Sequence, residues 1–323
     1  MAEIWKMMIS MRALTFSLLL GAMLTLTTPA PAYSEPETGT PQASQEAPDY
    51  GPNLSAIAAI VYDQNTGQIL LSKNPGLQSP IASITKLMTA VVLMDAGVDL
   101  NQRIGITRQD VDRLKGTHSR LPVGAVYTRE QLLNMALIAS ENRAAHALGR
   151  TTFAGGESEF VAAMNGKARQ LGMSNTIYVD PTGLDSTNRS TAEDLVKLVN
   201  HAYLNYPEIR RIASSGEYSL GFQRVVLRSH SHRRHHHAAR RVCYRQVAFN
   251  NTNRLTREGE WEIGLSKTGF INEAGHCLVM QARIAKREVI IVLLDTPGKS
   301  NRIGDATRIK QWLESKFQLR SLS

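Results

Sequence analysis

From about residue 54 onward the chain alternates between short apolar runs rich in β-branched residues and longer helix-forming stretches. Residues 56–62 are a short apolar run, 63–67 (Asp63, Gln64, Asn65, Thr66, Gly67) are turn formers, and 68–72 are a second run. Together they predict a β-hairpin. Residues 83–96 hold helix formers without a breaker and meet Gly97, a natural helix stop. Further helices are expected at 129–139, 142–149, 157–171 and 191–205. The last carries Glu193 and Asp194 in its first turn, where carboxylates favour the helix dipole. Later, 261–267, 275–284 and 289–294 read as strands, 286–288 as a hairpin turn and 307–317 as a closing helix. A hairpin, then helices, then a β-meander and a helix predicts an α+β fold. Its antiparallel sheet would carry helices on its faces and unite the first and last strands. No internal repeat is present.

Before residue 54 the pattern changes. Lys6 and Arg12 precede or open an apolar run over 13–26, the length of a signal core and shorter than a spanning helix. Ala30, Pro31 and Ala32 offer small residues for processing, with cleavage expected after Ala32. Residues 1–32 therefore read as an export signal, an uncleaved membrane anchor being the alternative. Residues 33–53, rich in Pro, Glu, Ser, Thr and Gln, read as a disordered tether. The folded domain is expected over 54–318, with a short tail at 319–323.

Composition narrows the class. A chain of 323 residues that is 42% hydrophobic is not wholly disordered, and two cysteines exclude a disulfide scaffold or a Cys-rich zinc module. In an oxidising compartment Cys243 and Cys277 could pair, but spacing alone does not fix their distance. The net charge of +9 points toward nucleic acid until it is located. Seven arginines (224, 228, 233, 234, 240, 241 and 245) lie within 224–245 without one acid, beside five of the nine histidines. The rest of the chain is close to neutral. The basicity belongs to one segment rather than to a face, so no nucleic-acid partner is expected.

Three short motifs carry candidate chemistry. Ser83 and Lys86 form an S-x-x-K at a predicted helix start, Ser140 and Asn142 an S-x-N between two predicted helices, and Lys267, Thr268 and Gly269 a K-T-G at a strand end. Residues three apart on a helix share a face, so Lys86 can reach Ser83. A serine hydroxyl needs a group to take its proton, and a lysine serves only if burial or a second cation lowers its pKa. Lys267 is the candidate second cation. A helix start also aims backbone N–H groups at a developing oxyanion. S-x-x-K or S-x-N alone arises about once by chance in a chain this long, and Ser186 with Asn188 makes a second S-x-N. Ser140 is preferred because it joins two helices. The ordered trio is far rarer, and matches the set described for penicillin-binding proteins and class A β-lactamases.

The chain resembles the low-molecular-mass penicillin-binding proteins, the serine-type D-alanyl-D-alanine peptidases, and within them the endopeptidase branch of the penicillin-binding protein 7 type. The resemblance rests on PIASITKLMTA around Ser83, LIASENRAAHAL around Ser140, LGMSNT, DPTGL at 180–184, STAEDLVKLV, NTNRL at 251–255 and KTGFINEAGHCLVM from Lys267. It implies a β-lactamase/transpeptidase-like fold: a five-stranded antiparallel sheet flanked by helices, a helical subdomain, and the site between them. It implies that Ser83 is the acylated nucleophile and Lys86 its general base. Ser140 would take part in proton transfer, and Asn142 would orient the substrate backbone. Lys267 and Thr268, followed by Gly269, would hold a carboxylate, and the N–H groups of Ser83 and Phe270 would form the oxyanion hole. No metal or organic cofactor is expected. The implied partners are crosslinked peptidoglycan peptides and β-lactam antibiotics, and the implied place is the periplasm, with no stable membrane anchor after signal cleavage.

The implied reaction is cleavage of D-alanyl–diaminopimelyl crosslinks. A D-alanyl-D-alanine carboxypeptidase would use the same groups, and a catalytically impaired wall-binding module is a further alternative. A class A β-lactamase would need a deacylating Glu near 176, which is Thr. One departure from the family is the Arg/His-rich stretch 224–248. It reads as a metal- or polyanion-binding insert, a solvated basic loop or a compensated frameshift in the gene record, and it is expected to fit poorly in a half-buried strand.

Overall fold

The computed structural model of the chain describes residues 51–228 and 239–320, with backbone alone for 222–228, 239–245 and 318–320. The expected export signal, most of the tether, the 229–238 stretch and the last three residues lie outside the described residues. In chain order the strands are β1 (Ala58–Asp63), β2 (Ile69–Lys73), the two-residue β3 (Ser79–Pro80), β4 (Arg103–Gly105), β5 (Val126–Thr128), the two-residue β6 (Arg189–Ser190), β7 (Glu217–Arg228), β8 (Ala239–Asn250), β9 (Glu262–Ile271), β10 (Gly275–Ile284) and β11 (Arg287–Thr296). The helices are α1 (Thr85–Asp95), α2 (Arg129–Ile138), α3 (Asn142–Thr152), α4 (Gly156–Gln170), α5 (Ala192–Asn205), α6 (Pro207–Ser214) and α7 (Asn301–Arg320).

The main sheet runs β2-β1-β11-β10-β9, each pair antiparallel, with β1 beside β11 from Ala58↔Leu294 to Asp63↔Val289. Its turns are built locally. The Asp63 carboxylate accepts from Asn65 N and Thr66 N at 2.9 and 3.1 Å, closing the first hairpin. The strands explain why the apolar runs are continuous rather than alternating. Ile60, Val279, Ile290 and Val292 face one core with α1 and α5, while Val61, Leu278, Ile291 and Leu293 face a second core under α7. A sheet covered on both faces needs apolar side chains at every position. α1 is likewise buried all round, from Thr85 through Leu93. The expected α+β, five-stranded antiparallel architecture is the one observed.

Local chemistry sets the helix boundaries. Thr128 caps α2 in a reciprocal box with Gln131, and the Thr191 hydroxyl accepts from Asp194 N at 3.2 Å to start α5. Several elements differ from expectation. α6 was not foreseen; its Pro207 occupies the first helical position, where a missing N–H costs nothing. α7 begins at Asn301, earlier than its polar, glycine-containing start suggested. Ser83 lies in a 3₁₀ turn, Ala82–Ile84, that leads into α1 rather than in the α-helix itself.

β7 and β8 pair from Glu217↔Asn250 to Arg228↔Ala239 as a two-stranded sheet of their own. Residues 224–228 and 239–248 are therefore strand and not loop. The hairpin stays out of the main sheet. Its base packs, with Phe249 buried and Tyr218, Leu220 and Val247 against the core.

Two glycines decide how closely the sheet and the turn at 180–184 approach Ser83. Gly183 has φ +79°, and a Cβ there would sit 1.9 Å from Ala82 O. A Cβ on Gly269 in β9 would sit 2.7 Å from Ile81 O and 3.2 Å from Ser83 N. Backbone presses on backbone from both sides, and Ala82 between them takes φ +47°. Gly97 shares the left-handed conformation, at φ +59°, but faces open space. Gly97→Ala is expected to cost about 1 kcal/mol, the conformational penalty alone. Gly183→Ala is expected to cost about 3 kcal/mol or more, because collision adds to that penalty. Thermal unfolding of the two variants side by side checks the difference.

Candidate active site

Ser83 and Lys86 stand one turn apart, as the S-x-x-K spacing requires. Lys86 Nζ donates to Ser83 Oγ at 2.8 Å, to Asn142 Oδ1 at 2.7 Å and to the Thr182 carbonyl at 2.7 Å. Lys86 is 1% exposed. Burial pushes its ammonium down to about 7, against the opposing pull of Asp180, Glu141 and Asp112. Burial, not the expected repulsion from Lys267, is what lowers it. Lys267 is itself held well below the ordinary lysine range by burial, then by the charges of Lys86 and Arg302.

The three partners of Lys86 are not equivalent. A carbonyl and an amide oxygen can only accept, whereas a hydroxyl can also donate. Once the amine is neutral, its two N–H groups stay on Asn142 and Thr182, and its lone pair faces the Ser83 hydroxyl. The orientation of Asn142 follows from its other end: Nδ2 donates to Thr117 Oγ1 at 2.8 Å. Thr117 is held in turn by Asp112, which accepts from its N–H at 2.8 Å and its hydroxyl at 2.6 Å.

Ser140 lies between α2 and α3 with φ +59°, a conformation rare outside glycine and asparagine. Its Oγ accepts from Lys267 Nζ at 2.9 Å, and the same amine donates to the Thr268 carbonyl at 2.9 Å. The intervening Glu141 points elsewhere. It accepts from Ser119 Oγ at 2.7 Å and Arg120 Nε at 3.2 Å, and Arg120 lies over the Phe249 ring and donates to the Ala248 carbonyl at 2.9 Å. The second motif is thereby fastened to the base of the β7–β8 hairpin.

On β9, Thr268 Oγ1 donates to Thr252 Oγ1 at 2.7 Å, and the Gly269 carbonyl accepts from Arg302 at 3.1 Å. Phe270 is 52% exposed and stacks on His276 with ring centroids 4.3 Å apart. A cleft of about 870 Å³ is bordered by Ser83, Ser140, Asn142, Thr268, Gly269 and Phe270. Lys86 and Lys267 lie buried and bond to its serines. All eight residues singled out in the sequence thus converge.

The other S-x-N match has a different role. Asn188 is buried, donates to Asp180 at 2.5 Å and accepts from Val179 N at 2.9 Å, tying the 180–188 turn together. Cys277 is a buried free thiol, pushed up to about 11 by burial, and it is no candidate nucleophile. Sequence reasoning missed the Thr182 carbonyl, Thr117, Thr252 and Arg302. The blocks DPTGL and NTNRL were distinctive, but Thr182 contributes a main-chain carbonyl, which no search for reactive side chains can find.

Residues 42–298 match the profile of the D-alanyl-D-alanine carboxypeptidase family. The chain is 41% identical to a D-alanyl-D-alanine endopeptidase of Pseudomonas aeruginosa over 90% of its own length and 85% of that protein. It is 38% identical to the endopeptidase of Escherichia coli over 82% of its length and 79% of that protein. Among solved structures, a penicillin-binding protein of Listeria monocytogenes in its cefotaxime-bound form superposes with a TM-score of 0.66 at 27% identity, covering 81% of this chain and 98% of that one. A Streptomyces DD-transpeptidase does so with a TM-score of 0.68 at 26% identity and the same coverage. A buried lysine aimed at a serine, on a fold and sequence shared this widely, leaves one assignment: the chain is a serine peptidase belonging to the D-alanyl-D-alanine carboxypeptidase family.

Proposed function

We propose that the enzyme cleaves D-alanyl–diaminopimelyl crosslinks of peptidoglycan through an acyl-enzyme on Ser83, and that β-lactams acylate the same oxygen. The observation that carries this reading is the Lys86 amine. It is buried to a pKa near neutrality, and Ser83 is its one partner with a proton to give. As Ser83 Oγ attacks the D-alanyl carbonyl carbon, its proton passes to Lys86 Nζ. The C–O bond forms and an oxyanion develops toward the N–H groups of Ser83 and Phe270. One such donor is typically worth about 3–4 kcal/mol in the transition state. The C–N bond then breaks, and the proton returns to the departing nitrogen by way of Ser140 Oγ, which Lys267 holds in place. Water releases the acyl group by the same exchange, with Lys86 taking its proton and Ser83 recovering one.

Lys267 and Thr268 hold the carboxylate beside the scissile bond. Burial disfavours the charge on Lys267, and a bound carboxylate favours it by supplying a counter-ion. Cleavage of a crosslink is favoured over release of a terminal residue because the endopeptidases of Pseudomonas and Escherichia are 41% and 38% identical to this chain. Carboxypeptidases of Bacillus subtilis and a Streptomyces species are 26% and 28% identical. The cefotaxime-bound Listeria protein supports β-lactam acylation. In this reading residues 1–32 direct export, 33–53 tether the domain, and the work is done in the periplasm. Among the described residues no helix is long and apolar enough to cross a membrane.

Ser83→Ala is expected to abolish covalent labelling by penicillin, and peptide mass spectrometry of the wild type should place the adduct on the Ser83 peptide; an adduct on another peptide sinks the assignment. A base whose pKa is lowered to about 7 is protonated and idle below that value and neutral above it. The acylation rate constant should therefore climb about tenfold per pH unit toward neutrality and then level off. Lys86→Ala should lower it by roughly 10²–10⁴-fold and remove the inflection. Lys267→Ala should impair substrates bearing a free carboxylate more than the corresponding esters; equal losses would mean that Lys267 acts on Ser140 alone. Crosslinked dimers competing with uncrosslinked pentapeptides should show the higher kcat/KM, and a preference for pentapeptide would make the enzyme a carboxypeptidase.

A further inference from the structure

Asn142 borders two clefts of different electrostatic character. One, of about 740 Å³, mixes Arg108, Arg113 and Arg150 with Asp112, Asp180 and Asp185. The other, of about 870 Å³, contains Ser83 and Thr268 and is lined by Arg254, Arg257, His276, Lys299 and Arg302, with no carboxylate among its lining residues. Arg302 is only 5% exposed, yet no carboxylate pairs with it among the described residues. Its NH1 is spent on the Gly269 and Cys277 carbonyls, and its buried Nε has no partner. A guanidinium left without a counter-ion in the wall of a cleft is costly unless an anion arrives there. Lys299, in the turn before α7, and Arg257, in the turn before β9, are exposed and make no ion pair among the described residues. Arg254 has only an exposed pair with Glu258 at 3.3 Å. His276 reports the resulting field: burial, then Arg302 and Lys299, hold it below the ordinary histidine range.

The next step rests on the proposed function. If Thr268 holds the carboxylate of the departing residue, the departing group occupies the cleft that Thr268 lines, which is the cationic one. Thr268 does not border the mixed cleft. A terminal D-alanine leaves with a single carboxylate. A crosslink leaves with a whole peptide, which carries more of them. We propose that Arg254, Arg257 and Lys299 bind the additional carboxylates of the leaving peptide and select an anionic peptide over a single amino acid as leaving group.

The test is the double variant Lys299→Glu/Arg257→Glu, with Lys299→Gln/Arg257→Gln as the milder pair. The probes are a crosslinked muropeptide dimer, the same dimer amidated at every free carboxylate of the leaving peptide except the one beside the scissile bond, and benzylpenicillin. For the charge-reversed variant, kcat/KM on the dimer should fall about tenfold relative to penicillin acylation, mainly through KM. The wild-type decline in dimer cleavage between roughly 50 and 300 mM salt should flatten in both variants. The amidated dimer should be a poorer substrate for the wild type and should be hydrolysed equally by wild type and variants. Unchanged dimer cleavage overturns the assignment. So does a parallel fall of dimer cleavage and penicillin acylation, because the arginine and lysine would then be shaping the site rather than reading the leaving peptide. Failure of the wild type to be acylated by penicillin at Ser83 is a different result and overturns the catalytic reading instead.

Discussion

A lysine amine kept from water is the constraint on which the rest of the site depends. In water that amine is protonated at neutral pH and cannot accept from a serine. Burial lowers it to about 7, and Asp180, Glu141 and Asp112 pull the other way. The balance leaves a base that can take a proton and also give it back. Maintaining it requires a helix buried on every side, which α1 is, and hence a core on more than one face of it. It also requires the nearby carboxylates to be spoken for. Glu141 is bound to Ser119 and Arg120, Asp112 to the 114–117 backbone, and Asp180 to the N–H groups of its own turn. None of them bonds to the Lys86 amine.

Two of the six non-glycine residues with positive φ among the described residues lie at the same place. Ala82 and Ser140, one next to the nucleophile and one an expected proton carrier, both adopt positive φ without being glycine. Such conformations persist only where the surroundings over-determine them. Gly183 and Gly269 supply that pressure on Ala82 by bringing bare backbone against it. Lys267 fixes Ser140 from the sheet side. Sheet, helices and turn hold one another to the geometry of the serines.

What could be read in the sequence follows from where each signal resides. β10 occupies the residues expected, and α3 and α5 start within a residue of expectation, because their signals are local: a continuous apolar run, an amphipathic stretch and the Thr191 cap. α6 was hidden by a proline that reads as a breaker unless it is placed first in the helix. The β7–β8 hairpin was hidden by its arginines, which mask the alternation that marks a strand. At the site, Ser83, Lys86, Ser140, Asn142 and Lys267 announced themselves through side-chain type and spacing. The Thr182 carbonyl did not, since every residue has one. A lone arginine such as Arg302 carries no spacing to notice, and nothing in an alanine at 82 indicates a left-handed backbone.

The pairing of β1 with β11 has a consequence for the order in which the protein can assemble. Ala58 meets Leu294, so the strand that opens the domain finds its partner only when nearly all of the domain has followed it. Contacts between such distant segments carry the loop-closure entropy of everything between them and form slowly. The sheet therefore cannot close, nor its two cores become sealed, on an incomplete chain. A polypeptide emerging from its N-terminal end leaves that sheet open until its last strand is delivered.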